Sequence, residues 1–144
     1  MKIRIILIIL ILLAVPFSSH AETSKRIHIS LSAQRLTYFE GDRMIDSFLI
    51  SSGLPRTPSP RGTFAVQAKL PVVKYFGYNR DGSTYNYPNT KWNLRFYRRY
   101  YIHGAYWHNA FGTPRSHGCI NVSYENMEKL YHWADVGTKV TIGS

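Results

Sequence analysis

From Arg26 to Ser32 apolar residues take every second position, with Ile27, Ile29 and Leu31 alternating with polar neighbours. A period of two puts one side of an extended chain into a core and the other into water, so this stretch reads as a half-buried strand. Arg35 to Glu40 repeats the pattern with Leu36 and Tyr38. Glu40-Gly41-Asp42 is a turn signal, and Met44 to Ile50 reads as the returning strand of a hairpin. The first third of the fold is therefore expected to be β-rich.

Ser51 to Gly62 (SSGLPRTPSPRG) breaks that pattern. Pro55, Pro58 and Pro60 remove backbone donors and push their neighbours to extended shapes, which predicts a stiff loop. Thr63 to Ala68 returns to a strand pattern. Pro71 to Trp92 is long, polar and aromatic, and it reads as a loop. Its rings at Tyr75, Tyr78, Tyr85, Tyr87 and Trp92 either line a groove or pack on one another in an Ω-like surface loop. Leu94 to Ile102 reads as a strand that delivers His103 at its end. Ser123 is a good helix N-cap with Glu125 in the first turn. Tyr124, Met127, Leu130, Tyr131 and Ala134 keep the spacing of one buried helical face. Gly137 follows, and Lys139 to Ile142 is a short closing strand.

The chain has 144 residues, which favours one domain. Its first 21 residues read as a signal peptide. Lys2 and Arg4 precede an apolar run from Ile5 to Val15, Pro16 breaks the run, and Ser19-His20-Ala21 suits cleavage after Ala21. That run is short for a membrane span, which needs roughly 20 residues, so no span is expected in the mature chain 22–144. The formal charge is +10, and Lys2 and Arg4 account for two of it, leaving +8. A basic, exported, tyrosine-rich chain suggests an anionic extracellular partner. Its basic residues are scattered and carry no nucleic-acid motif, so no nucleic-acid partner is expected.

Exported proteins usually carry cysteines in even number for disulfides. Cys119 is the only one here, so it has no internal partner. The choices are an intermolecular disulfide, an inert buried thiol or a reactive nucleophile. Its surroundings favour the last. Ile102 to Val122 holds Cys119 together with His103, His108 and His117, punctuated by Gly104, Gly112 and Gly118. His103 can take the thiol proton and return it to a leaving amine. Gly118 lets the backbone bend closely before Cys119, and N–H groups of that bend can form an oxyanion hole. The implied reaction class is acyl transfer through a thioester. His117 is expected to turn its ring away and brace the loop, and His108 to be structural. Zinc held by His103, His108, His117 and Cys119 is the rival chemistry. The spacing fits neither a CxxC finger nor HExxH, so no metal is assigned. His before Cys with a short gap also differs from papain-like peptidases.

His103-Gly104, twelve residues from Ala105 to Ser116, then His117-Gly118-Cys119-Ile120-Asn121 resembles the signature of the L,D-transpeptidase catalytic domain, the YkuD-type family. Ser51-Ser52-Gly53, Thr57 to Phe64, and the close from Val136 to Val140 are similar to that family as well. The resemblance runs over nearly all of 26–142 and assigns 22–144 to one such domain. It implies a mostly β, sandwich-like fold with one or two short helices, and the cysteine on a loop beside a helix. It implies a peptidoglycan L,D-transpeptidase in the periplasm or cell wall, without metal or organic cofactor. Cys119 would attack the third residue of a tetrapeptide donor stem, and a diamino-acid amine of a second stem would accept, giving a 3→3 cross-link. Carbapenems would acylate the same thiol. His103 would shuttle the proton. Ser116, His117 and Gly118 would orient the site, with the Ser116 carbonyl holding an imidazole. Tyr85, Trp92, Tyr106, Trp107, Arg115 and Asn121 are the expected substrate contacts. L,D-carboxypeptidase action and D-amino-acid exchange share the first half-reaction, and a non-catalytic wall-binding module is the alternative outside enzymes.

Overall fold

The computed structural model describes residues 24–144, so the expected leader over 1–21 lies outside the described residues. The alternation at the start of the chain becomes β1 (Lys25–Ser30), β2 (Arg35–Glu40) and β3 (Arg43–Leu49), an antiparallel meander. Ile27 and Ile29 are buried while His28 between them is exposed, as a period of two requires. Each such isoleucine contributes about 1.5–3 kcal/mol by leaving water. The proline-rich segment is a loop. After it come β4 (Gly62–Ala65), β5 (Ala68–Tyr78), β6 (Thr84–Tyr97), β7 (Tyr100–Gly104) and β8 (Ile120–Val122). Helix α1 (Tyr124–Trp133) and β9 (Lys139–Gly143) close the chain.

The strands form two sheets, ordered β3-β2-β1-β9-β4 and β5-β6-β7-β8. Ile27, Ile29, Leu36 and Val140 of the first share one core with Leu94, Phe96, Ile102 and Ile120 of the second. Helix α1 packs on β6 and β7 and adds Met127 and Leu130 to that core. The Ser123 hydroxyl caps it by accepting from the Asn126 N–H, 3.4 Å away. The fold is the expected mostly β, two-sheet architecture, with one short helix among the described residues.

Two sequence expectations are corrected. The stretch from Pro71 to Trp92 is not a loop; its greater part belongs to the long β5–β6 hairpin, closed by a tight turn at Asn79–Ser83. Alternation is present there in burial but not in polarity. Phe76 and Tyr78 lie on the exposed side, and Gly77 lies on the inner one. Hydrophobic periodicity therefore misses the hairpin, although Asp81-Gly82 between β-forming residues is a turn signal. The second correction concerns Leu94 to Ile102, which is two strands rather than one, split by a turn at Arg98-Arg99.

Candidate active site

Parallel pairing of β7 with β8 brings the two halves of the central stretch together. Ile102 lies beside Ile120, His103 beside Asn121 and Gly104 beside Val122. His103 thus ends one strand and Cys119 enters the next. Both line a single cavity, with Ser116, His117 and Asn121 on its wall and Tyr75, Tyr85 and Trp107 around them.

The loop before Cys119 is held from two directions. Ser51 and Asn121 exchange backbone hydrogen bonds of 2.9 Å each way. The Ser52 carbonyl accepts from the N–H groups of Arg115 and Ser116. Buried Gln34 fixes Ser52 in turn, donating to its hydroxyl at 2.7 Å and accepting from its N–H at 2.9 Å. The proline-rich loop is therefore the brace of the cysteine loop. Gly118 has φ +116, and a Cβ added there would come within 2.5 Å of the Tyr100 ring. Only glycine meets both the backbone conformation and the packing.

The Ser116 hydroxyl accepts from the Gly118 N–H at 3.0 Å and donates to the Cys119 carbonyl in a short bond. It staples the turn on which Cys119 sits. The expected role of the Ser116 carbonyl is corrected: it accepts from the Leu54 N–H and the Thr57 hydroxyl, not from an imidazole. The imidazole is oriented by Gly104, whose carbonyl lies 2.9 Å from His103 Nδ1. A carbonyl only accepts, so Nδ1 carries the proton and Nε2 keeps its lone pair. The Gly104 carbonyl is a contact to the candidate base that the sequence reading missed, because backbone groups leave no signature in residue type.

Tyr75 stacks on His103 at 4.5 Å between ring centroids, and its hydroxyl donates to Asn93 at 2.8 Å. Burial of His103, 3% exposed, lowers its pKa to about 4, with the Gly104 hydrogen bond opposing. Cys119 is partly exposed. Desolvation nevertheless pushes its thiol up to about 11, against the hydrogen bond from the Tyr101 N–H. The resting pair is a thiol and a neutral imidazole, not the thiolate that a nearby histidine suggested.

His117 is exposed and does not turn away. It stacks on Tyr85 at 5.0 Å and borders both of the cavities that Cys119 lines. Tyr85 lies flat because Gly77 beneath it has no side chain; a Cβ there would meet the Tyr85 hydroxyl at 2.5 Å. Trp107 stacks on Tyr87 at 3.8 Å and faces the cavity, which Arg115 also lines. Tyr106 and Trp92 do not line it. The Tyr106 hydroxyl bonds the Pro88 carbonyl, and Trp92, at φ +55, packs edge-on against Tyr124. His108 accepts from the Ala110 N–H and contacts the Asn121 carboxamide at 3.1 Å, a supporting position. Among the described residues, no group of three or more His, Cys, Asp or Glu side chains converges as metal ligands would.

The sequence matches the YkuD L,D-transpeptidase catalytic domain family over residues 24–142. A Bacillus licheniformis protein named for L,D-transpeptidase YkuD is 29% identical over 117 residues, covering 81% of this chain and 64% of that protein. An L,D-transpeptidase from Mycobacterium smegmatis has a similar structure, with TM-score 0.78 and 27% identity over 85% of this chain and 59% of that one. The catalytic domain of an E. faecium L,D-transpeptidase gives TM-score 0.72 and 29% identity, covering 86% of this chain and 99% of that one. The chain thus spans less than two thirds of the first two relatives and nearly all of an isolated catalytic domain. With its signature residues gathered in one cleft and the match running from residue 24 to residue 142, this chain belongs to the YkuD family of L,D-transpeptidase catalytic domains.

Proposed function

We propose that this protein is an exported peptidoglycan L,D-transpeptidase that works through a thioester on Cys119. The observation that carries the reading is the shared cleft: an accessible sulfur, and a buried imidazole whose Nδ1 proton is pinned by the Gly104 carbonyl. Cys119 attacks the carbonyl of the third stem residue, forming the S–C bond. The thiol proton passes to His103 Nε2. With the thiol high and the imidazole low, a preformed ion pair is disfavoured, so this transfer accompanies attack. The tetrahedral oxyanion is held by backbone N–H groups of the cysteine bend. Gly118 is excluded from that role because its N–H is taken by Ser116. Collapse breaks the C–N bond, and His103 returns the proton to the departing D-alanine amine. The amine of a second stem then repeats the sequence in reverse, giving a 3→3 cross-link and restoring the thiol.

One similar structure, at 29% identity, supports the covalent step: it is a carbamoyl enzyme formed with avibactam. Intact-protein mass after incubation with a carbapenem tests the proposal. The wild type should gain one adduct and Cys119→Ala none, while His103→Ala should acylate at least a hundred-fold more slowly. Products from purified tetrapeptide stems then separate cross-linking from hydrolysis. Absence of an adduct on the folded wild type would remove the acyl-enzyme reading.

A further inference from the structure

Asn121 stands beside His103 across the β7–β8 pairing and lines the cavity that holds Cys119. It is buried, and its backbone is locked to Ser51 by hydrogen bonds in both directions. Its carboxamide meets His108 Nε2 at 3.1 Å and, among the described residues, makes no other side-chain hydrogen bond. What Asn121 offers to the cavity therefore depends on which end of the carboxamide faces His108.

The bonds of His108 decide that. The Ala110 N–H donates to its Nδ1 at 3.3 Å, so Nδ1 is an acceptor. A neutral imidazole then carries its one proton on Nε2. Burial, and after it the charge of Arg115, lowers the His108 pKa, which keeps the ring neutral at pH 7. Phe111 packs on the ring at 4.8 Å between centroids and Trp107 meets it edge-on at 6.4 Å, which holds it in place. With Asn121 Nδ2 toward the ring, two donors face each other across 3.1 Å. A half-turn of the carboxamide exchanges Nδ2 with Oδ1, leaves its shape unchanged and gives the Nε2–H its acceptor.

Resting on the acyl-transfer reading above, we infer that His108 is a positioning residue: it donates to the Asn121 oxygen and so turns the Asn121 NH2 into the Cys119 cavity, as a donor to a peptide carbonyl oxygen of the substrate. A free carboxamide presents an acceptor as readily as a donor. Held by the Nε2–H of His108, it presents a donor alone. The neighbouring His103 keeps a lone pair on Nε2 and, while neutral, has no proton there to give a carbonyl. Asn121 supplies the polarity that His103 lacks, and His108 keeps it from reversing.

Imidazole nitrogen chemical shifts, with the His108 signals assigned by their loss in His108→Gln, read the tautomer directly. A proton on Nε2 is expected; a proton on Nδ1 overturns the inference. Single-turnover acylation by a synthetic tetrapeptide stem, read by intact mass, tests the consequence. His108→Ala should slow acylation about ten-fold, the worth of one hydrogen bond. In an Asn121→Ala background the same change should cost nothing further, because His108 acts only through Asn121. Asn121→Asp keeps an acceptor for His108 but turns a second acceptor toward the substrate. It should acylate as slowly as Asn121→Ala, with its melting curve checked for folding. In His108→Gln a carboxamide N–H replaces the Nε2–H, and most of the rate should remain. The inference is overturned by wild-type rates in Asn121→Asp, by equal slowing from His108→Ala with and without the Asn121 carboxamide, or by a folded His108→Gln as slow as His108→Ala. If His108→Ala does not fold, the tautomer, Asn121→Asp and His108→Gln still decide. If the tetrapeptide leaves the wild type unmodified, acyl transfer itself fails, and the tautomer alone then decides which way the carboxamide points.

Discussion

Acidifying the protein from pH 7 to pH 4 sets the burial of His103 directly against its charge. Its side chain sits 3% exposed under Tyr75, and burial holds its pKa near 4 rather than the ordinary 6.5. A basic group depressed in the native state binds its proton first in the unfolded chain. The stability conferred by a neutral His103 is therefore complete above pH 6.5 and is lost as pH falls toward 4. At about 1.4 kcal/mol per pH unit, that window accounts for roughly 3 kcal/mol. This is a large share of the 5–15 kcal/mol typical of a folded domain. The assay is urea unfolding of wild type and His103→Gln at steps between pH 7.5 and pH 4. His108, also lowered by burial, and the carboxylates are common to both proteins, so the difference isolates His103. Wild-type stability should fall by roughly 3 kcal/mol more than that of the variant across the window. Parallel curves, or an imidazole proton signal titrating near pH 6.5, would refute the reasoning. The same neutrality predicts that carbapenem acylation persists down to about pH 5, because the base is not yet protonated.

Gly118→Ala combines a positive φ with a clash against Tyr100, and should cost 1–3 kcal/mol in chemical denaturation and abolish acylation. Ser116→Ala removes the hydroxyl that ties the Gly118 N–H to the Cys119 carbonyl. It should cost about 1–3 kcal/mol and slow acylation in protein that still folds, as read by intact mass. Trp92→Phe should leave carbapenem acylation within about two-fold of wild type, because that ring packs on Tyr124 outside the cleft, whereas Tyr85→Ala should slow it by uncovering His117.

How much of the site was legible follows from which of its parts are local. The glycine before Cys119 and the histidine near the end of a strand stand within one continuous stretch, where residue type alone singles them out, whereas the Ser116 hydroxyl staple was not legible there because the expectation fell on its carbonyl. The β1–β3 meander was legible because polarity there follows burial. The β5–β6 hairpin was not, because Phe76 and Tyr78 are apolar yet exposed, and its tyrosines cover a cleft rather than a core.

The sequence by itself singled out Cys119 and His103 as the candidate pair, and it determined the helix start at Ser123 and the alternation that commits the chain to sheets. Those are properties of residues near one another along the chain. Tertiary structure alone decided that a carbonyl from Gly104 aims the imidazole, that the proline-rich loop braces the cysteine loop through Ser52, and that Lys74, Arg98 and Arg99 line a second cavity with Cys119. It also decided the protonation states, since burial of His103 and Cys119 opposes the ion pair their proximity suggests. Each of these depends on which distant strands pair and on how much water their pairing excludes, and neither is written into any local run of residues.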